Sequence, residues 1–134
     1  MALMPHEETW QRFAPILLRF GLSGLFLWFG ISQATSPNDW ISWVPTWVPD
    51  FLHVEARTIV LMNGGFEIIG GTLLLIGVYI RVVASIMALH LLVIAYEIGY
   101  NDIGVRDFCL ALASFASALY GQDAWSLKRR ISER

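Results

Sequence analysis

Long apolar runs interrupted by single polar residues dominate the chain. Four of them are about 20 residues long, the length that a helix needs to cross a hydrocarbon core of about 30 Å. They are Phe13–Gln33, Thr58–Ile80, Val82–Tyr100 and Ile103–Gly121. Any one run could be a buried helix of a soluble protein, but four in 134 residues leave too little chain to cover them. The pattern predicts an all-α fold: an antiparallel four-helix transmembrane bundle, with residues 1–134 forming a single membrane domain.

Two of the three connections between these runs are short. Val78–Arg81 joins the second run to the third, and Asn101–Asp102 joins the third to the fourth, so both pairs are predicted to form tight helical hairpins. We expect Asp102 to cap the last helix, because a carboxylate at that position accepts the free N–H groups of the first turn.

The first connection is long, and it carries Trp40, Trp43 and Trp47 among prolines that oppose a long helix. Tryptophan favours the headgroup layer of a membrane. The loop is therefore predicted to lie on the outer membrane surface. It could be a plain interfacial anchor or a lid over a ligand cavity, and the sequence leaves both interpretations open.

Composition supports the membrane assignment, and the distribution of basic residues predicts the orientation of the bundle in the membrane. Hydrophobic residues make up 56% of the chain, charged residues 15%, and mean hydropathy is +0.57, whereas soluble domains have roughly 45–50% and about 25% of these classes. The positive-inside rule predicts cytosolic termini, and the expected location is a prokaryotic plasma (inner) membrane. This rests on basic residues that all fall on one side of the bundle: Arg12, Arg81, Lys128, Arg129, Arg130 and Arg134.

Several classes of function are disfavoured. No basic stripe interleaves with aromatic residues, so nucleic acid is not an expected partner. A lone cysteine, Cys109, excludes an internal disulfide and a CxxC pair. His90, Glu67 and Glu97 lack the spacing of a metal site, and none is expected. The N-terminal stretch does not have the pattern of a signal peptide.

Seven polar residues within the runs form the candidate cluster. Ionisable groups inside a membrane cost on the order of 2.5–3.5 kcal/mol each and indicate function by default. At about 1.5 Å of rise per residue, Glu67 and His90 lie near the midplane of the membrane, and Arg19 is within reach of Glu67. The other four residues belong to the outer third of the membrane. The cluster comprises Arg19, Asn63, Glu67, His90, Glu97, Arg106 and Asp107.

The cluster has two interpretations. It could be structural, with ion pairs that fix helix register: Arg19 is within reach of Glu67, and Arg106 is within reach of Glu97, Asn63 or Glu67. Alternatively, it could line a polar cavity that holds a small molecule or carries protons. In either case close helix packing is expected at small residues, of which Gly64, Gly70 and Gly71 are the candidates.

Three segments in order, LLRFGLSGLFLWFG, NGGFEIIGGTLLLIGVYIR and DIGVRDFCLALASFASALYG, resemble the DoxX-like family of small four-helix membrane proteins. The resemblance runs from about Arg12 to Leu127. It departs at the C-terminal end, where Lys128 follows Ser126-Leu127 in place of an acidic residue. The family's polar signature falls on Arg19, Glu67, Gly70, Gly71, Arg106 and Asp107.

The resemblance implies several roles. Some relatives are subunits associated with thiosulfate:quinone oxidoreductase or with assemblies that handle oxidative stress, and more distant ones are chaperones or cargo receptors. The main hypothesis is an accessory subunit of a membrane redox system that binds a quinone or another lipid, without a covalently bound cofactor. The alternatives are a non-enzymatic scaffold or chaperone and a small transporter. Expected partners are the bilayer, a redox enzyme or client membrane protein, and a second copy of the chain.

Overall fold

The computed structural model describes residues 5–127. Over that range all regular elements are helical, and four helices are long and apolar enough to cross a membrane, which confirms the predicted fold class. The elements are α1 (Pro5–Thr35), a 3₁₀ helix (Pro37–Trp43), α2 (Trp47–Leu52), α3 (Ala56–Ile76), α4 (Ile80–Ile98) and α5 (Asp102–Tyr120).

The bundle has two ends with different chemistry. The loop end holds the connection between α1 and α3, residues 36–55, together with the α4–α5 turn at residues 99–101. The termini end holds the α3–α4 turn at residues 77–79 and the segment 121–127 that follows α5. The basic residues 128–134, on which part of the predicted orientation rests, lie outside the described residues.

The four long helices pack as two close pairs, α1 with α3 and α4 with α5, and the two pairs contact each other less extensively. Glycine makes the first pair close: a Cβ added to Gly64 would lie 2.9 Å from the Gly30 carbonyl oxygen. Gly71 similarly contacts Leu27, and Gly70 contacts Met87 on the other pair. Lipid is as apolar as the side chains, so such backbone approach stabilises the bundle more than apolar burial does.

An apolar core joins the two pairs in the middle of the bundle. It includes Phe26 of α1, Leu74 of α3, Met87 of α4 and Ala111 of α5, all essentially inaccessible. This core divides the bundle interior, and buried polar groups lie on both sides of it.

The N-cap of α5 is Asn101, and the sequence-based assignment to Asp102 is wrong. Asn101 has an extended backbone (φ −149°, ψ −179°), and its side-chain oxygen accepts hydrogen bonds from the N–H groups of Ile103 and Gly104, both at 3.0 Å. A capping residue lies just outside the helical dihedrals, whereas Asp102 is already the first helical residue. The Asn101 amide also donates to the Ile98 carbonyl at 2.9 Å, which joins α4 to α5.

The loop between α1 and α3 folds back over the bundle. Trp40 donates its indole N–H to Ser32 Oγ at 3.2 Å, and its ring packs edge-on against Phe29 with centroids 5.5 Å apart. The 3₁₀ helix contacts both α1 and α3. The loop thus covers the loop end of the bundle.

Candidate functional site

A cavity of about 480 Å³ lies at the loop end, between the two helix pairs and beneath the loop. All four long helices contribute to its wall, which is mostly apolar and aromatic. Its polar lining residues are Gln33, Asn63, Glu67, Arg106 and Asp107. Four of these belong to the cluster predicted from the sequence.

Three polar side chains of the wall form one chain of hydrogen bonds. The Asn63 amide donates to Gln33 Oε1 at 2.8 Å, and the Gln33 amide donates to Glu67 Oε2 at 2.8 Å. Gln33 and Glu67 are both buried, at 5% and 4% exposure. An apolar environment makes an unpaired polar group costly, so this network holds Glu67 in one position with a neutral partner.

His90 extends this network away from the cavity. Its Nε2 lies 3.4 Å from Glu67 Oε1, and its ring packs against Phe66 with centroids 4.8 Å apart. Whether His90 Nε2 donates to Glu67 or accepts from it depends on which ring nitrogen of His90 carries the proton. His90 is half-buried and does not line the cavity, whereas Glu67 does. Glu67 therefore lies between the cavity and His90.

A second polar group lies across the cavity on α5. Arg106 Nε donates to Asp107 Oδ1 at 2.8 Å, and the guanidinium lies 5.3 Å from the centre of the Phe29 ring. Asp107 is buried, but 47% of the Arg106 side chain is exposed. Arg106 therefore pairs with Asp107 and not with Glu97, Asn63 or Glu67 as predicted. The buried Asp107 carboxylate needs a charged partner, and Arg106 is the adjacent residue.

Glu97 and Trp47 lie outside the cavity. Glu97 is exposed near the end of α4 and accepts a hydrogen bond from the Trp47 indole at 3.2 Å. Of the three tryptophans proposed as a lid, Trp40 and Trp43 line the cavity, while Trp47 links the loop to α4.

Arg19 belongs to the opposite end of the bundle, so the predicted contact with Glu67 is wrong. Its Nη1 donates to the carbonyl oxygens of Leu74 and Leu75, both at 2.7 Å. Its Nε and Nη2 donate to the two carboxylate oxygens of Asp123, at 2.5 and 3.1 Å. Carbonyls at the C-terminal end of α3 and a nearby carboxylate offer a buried cation more than a distant glutamate can.

We call the group around Arg19 and Asp123 the terminal lock. Asp123 also accepts from the backbone N–H of Trp125 at 2.8 Å, and Ser126 donates to the Asp123 carbonyl at 2.9 Å. The Trp125 ring packs edge-on against Phe13 and Phe20 of α1. The segment after α5 is thus fixed across the termini end.

Two members of these networks, Gln33 and Asp123, were not predicted from the sequence. Gln33 is the last residue of the first predicted span, and a polar side chain at that outer end, about 7.5 Å above the level of Asn63, is the signal that could have found it. Asp123 lies beyond the last predicted span in a stretch without helical periodicity, so depth arithmetic within the spans carried no signal for it. The described residues contain no group of three or more potential metal ligands.

These features define an integral membrane protein in which four apolar helices enclose a mostly apolar cavity with a few polar residues in its wall. The DoxX family model matches residues 14–99, which extend from α1 to the end of α4. The match covers more than half of the chain, and the chain belongs to the DoxX family. Neither a curated protein nor a solved structure matches it.

Proposed function

We propose that this DoxX family protein binds a lipid-soluble small molecule in the loop-end cavity, a quinone or a related lipid, as an accessory subunit of a membrane redox system. The observation that carries the proposal is the cavity itself. Its wall is mostly apolar, and its polar residues are ordered by the network from Asn63 through Gln33 to Glu67. That combination is typical of small-molecule sites.

A quinone is compatible with the size and chemistry of the cavity. Ligand pockets commonly have volumes of roughly 300–1,000 Å³, and this cavity has about 480 Å³. Phe29 and Trp40 offer aromatic faces for a ring, while Arg106 and Asn63 offer N–H donors for carbonyl oxygens. A bound quinone would supply reversible uptake of electrons and protons.

The protein's own contribution is binding and proton handling. Glu67 lines the cavity and contacts His90 on its other side, so a proton held at Glu67 Oε1 has a neighbouring acceptor at His90 Nε2, 3.4 Å away. Positioned carboxylate and imidazole groups are the common side chains for such transfer. Gln33 holds the other carboxylate oxygen in place.

Electron transfer is assigned to a partner enzyme. Cys109 is the single cysteine, so the chain has no thiol pair of its own, and the proposal requires a redox enzyme at the membrane surface. The whole chain acts as one membrane domain in a prokaryotic inner membrane. Arg12 and Arg81 both belong to the termini end, which supports placing that end, with the C-terminus, in the cytosol.

Purification in mild detergent, followed by mass spectrometry of the copurifying lipid extract, tests the proposal. We expect a quinone or a related lipid near one molecule per chain, and about tenfold less with Glu67→Gln, because the substitution changes the cavity wall at nearly constant volume. Glu8→Gln, an exposed glutamate at the start of α1, is the control. A folded wild-type protein that retains no lipid-soluble molecule would contradict the proposal.

The same preparation distinguishes the alternative functions. A partner membrane protein recovered with an empty cavity would support a scaffold or chaperone. Transport by carboxylate exchange is disfavoured, because Glu67 is already engaged by Gln33 and His90.

A further inference from the structure

Two residues of the cavity wall, one on α1 and one on α5, are partly exposed on the outer surface of the bundle. Trp28 of α1 lines the cavity although 63% of it is exposed, and Arg106 of α5 lines it although nearly half of its side chain is exposed. The two meet through Phe29, whose ring contacts Trp28 at 4.9 Å and the Arg106 guanidinium at 5.3 Å. Contact between α1 and α5 is sparse compared with contact within each helix pair.

These two residues lie at bilayer depth. Trp28 is seven positions from the end of α1 and Arg106 four positions from the start of α5, which corresponds to roughly 6–10 Å below the loop end at about 1.5 Å per residue. The loop covers the cavity from the other direction, with Trp43 in the wall and 50% exposed. The depth of Trp28 and Arg106 favours a route that starts among lipid chains.

The Arg106 guanidinium has N–H donors available for a ligand at this position. Its Nε is taken by Asp107, and within residues 5–127 neither terminal nitrogen of its guanidinium has a hydrogen-bond partner. A guanidinium in an apolar wall gains from acceptor oxygens. A ligand oxygen can supply them.

The charges of the cavity wall favour an uncharged carbonyl oxygen over the oxygen of an anionic head group. Two carboxylates, Glu67 and Asp107, line the cavity against one guanidinium, Arg106, which already pairs with Asp107. A further anion would approach both carboxylates in a medium of low dielectric constant, where repulsion is strong. An uncharged head with a carbonyl oxygen avoids that cost.

We propose that the cavity is loaded from the bilayer between α1 and α5, and that Arg106 selects uncharged amphiphiles by donating to a carbonyl oxygen of the head. The inference rests on the proposed function, and it names the recognising residue and the ligand class. The opposing charge of Asp107 sets the preference for a neutral head.

The test uses full-length protein in phosphatidylcholine vesicles, with decylubiquinone as the probe and quenching of tryptophan fluorescence as the readout. Three competitors of matched chain length follow: methyl palmitate, hexadecanesulfonate and hexadecane. We expect displacement by the neutral ester to be about tenfold more effective than by the anion or the alkane. Arg106→Gln should weaken probe binding about tenfold, and Arg106→Lys should restore part of it.

Asp107→Asn provides a readout that a purely structural role would not change. Removing this carboxylate leaves Arg106 unbalanced, so the preference should shift toward the sulfonate by at least tenfold relative to the ester. Trp28→Ala should speed probe association several-fold, whereas Trp10→Ala, an exposed tryptophan on the same helix, should not.

The outcomes separate the two proposals. Wild-type protein without saturable probe quenching would overturn both the proposed function and this inference. Saturable binding with a preference for the anion, or with no change in Arg106→Gln and Asp107→Asn, would overturn the inference alone. An unchanged association rate in Trp28→Ala would overturn the route between α1 and α5.

Discussion

The terminal lock and the cavity wall each contain an arginine paired with an aspartate, but the two arginines have different surroundings. In the terminal lock, Arg19 donates through three nitrogens to Asp123 and to the carbonyls of Leu74 and Leu75, and both charged residues are at most 2% exposed. At the loop end, Arg106 makes one ion pair and lies in the wall of a cavity, and its terminal nitrogens have no hydrogen-bond partner among the described residues.

The difference indicates which buried charge is structural. The Arg19 guanidinium donates four hydrogen bonds within the protein and is almost fully buried, so little of it is left for a ligand. A guanidinium with unused donors beside an open volume can bind one. The number of satisfied donors therefore favours Arg106, and not the more deeply buried Arg19, as the candidate binding residue.

The largest expected effect follows from breaking the terminal lock. Asp123→Asn leaves the buried Arg19 charge without its counterion, and removal of one partner of a buried pair costs about 3–5 kcal/mol. Reversible unfolding in mixed micelles measures it, with Asp50→Asn, an exposed aspartate of α2, as control. A loss below about 1 kcal/mol would mean that Arg19 does not depend on Asp123.

Two glycines with positive φ compare strain and packing at the two ends. Gly77 lies in the left-handed helical region (φ 75°, ψ 41°), and a Cβ there would lie 2.6 Å from Ser126 Cα. Gly99 has φ 80° and ψ −165°, a region almost confined to glycine, but a Cβ there meets nothing within 4 Å. Gly99→Ala should cost about 1–3 kcal/mol from backbone strain alone.

Gly77→Ala should cost about 1–2 kcal/mol from its left-handed conformation and about 1–3 kcal/mol more from overpacking. The free energy of unfolding of both variants is measured under one condition. A loss for Gly77→Ala of no more than about 1 kcal/mol, which strain alone accounts for, would show that the segment 121–127 does not press against the α3–α4 turn.

Glu67→Gln and Asp123→Asn both convert a buried carboxylate into an amide, so their effects on the free energy of unfolding can be compared directly. At Glu67 the partners are a neutral amide and an imidazole, so no permanent charge is left unpaired, and a loss of about 1 kcal/mol is expected. The same unfolding assay measures it. A loss as large as that of Asp123→Asn would place Glu67 among the structural groups.

The smallest effect is expected at the loop. Trp47→Phe removes the indole hydrogen bond to the exposed Glu97, and a bond so accessible to solvent should contribute no more than about 0.5 kcal/mol. Thermal unfolding should therefore be nearly unchanged. Exchange of a bound probe should accelerate, since the loop loses its link to α4, and an unchanged exchange rate would separate this contact from closure of the cavity.

The sequence predicted the helices well and the contacts only in part. Apolar runs of membrane length specify four spans regardless of partners, and depth arithmetic correctly placed Asn63, Asp107 and Arg106 at one end. The same arithmetic failed for Arg19, because it compared only residues within spans and its partners are a carboxylate beyond the last span and two backbone carbonyls. Backbone acceptors carry no signature in a sequence.

The position of Asp123 also sets an order for assembly. Arg19 enters the membrane with the first helix, yet its counterion follows 104 positions later in the chain. Until the last helix has been synthesised, α1 carries an uncompensated cation, and such a charge in an apolar helix disfavours a settled position in the bilayer. The closure of this end of the bundle therefore depends on the segment that follows α5.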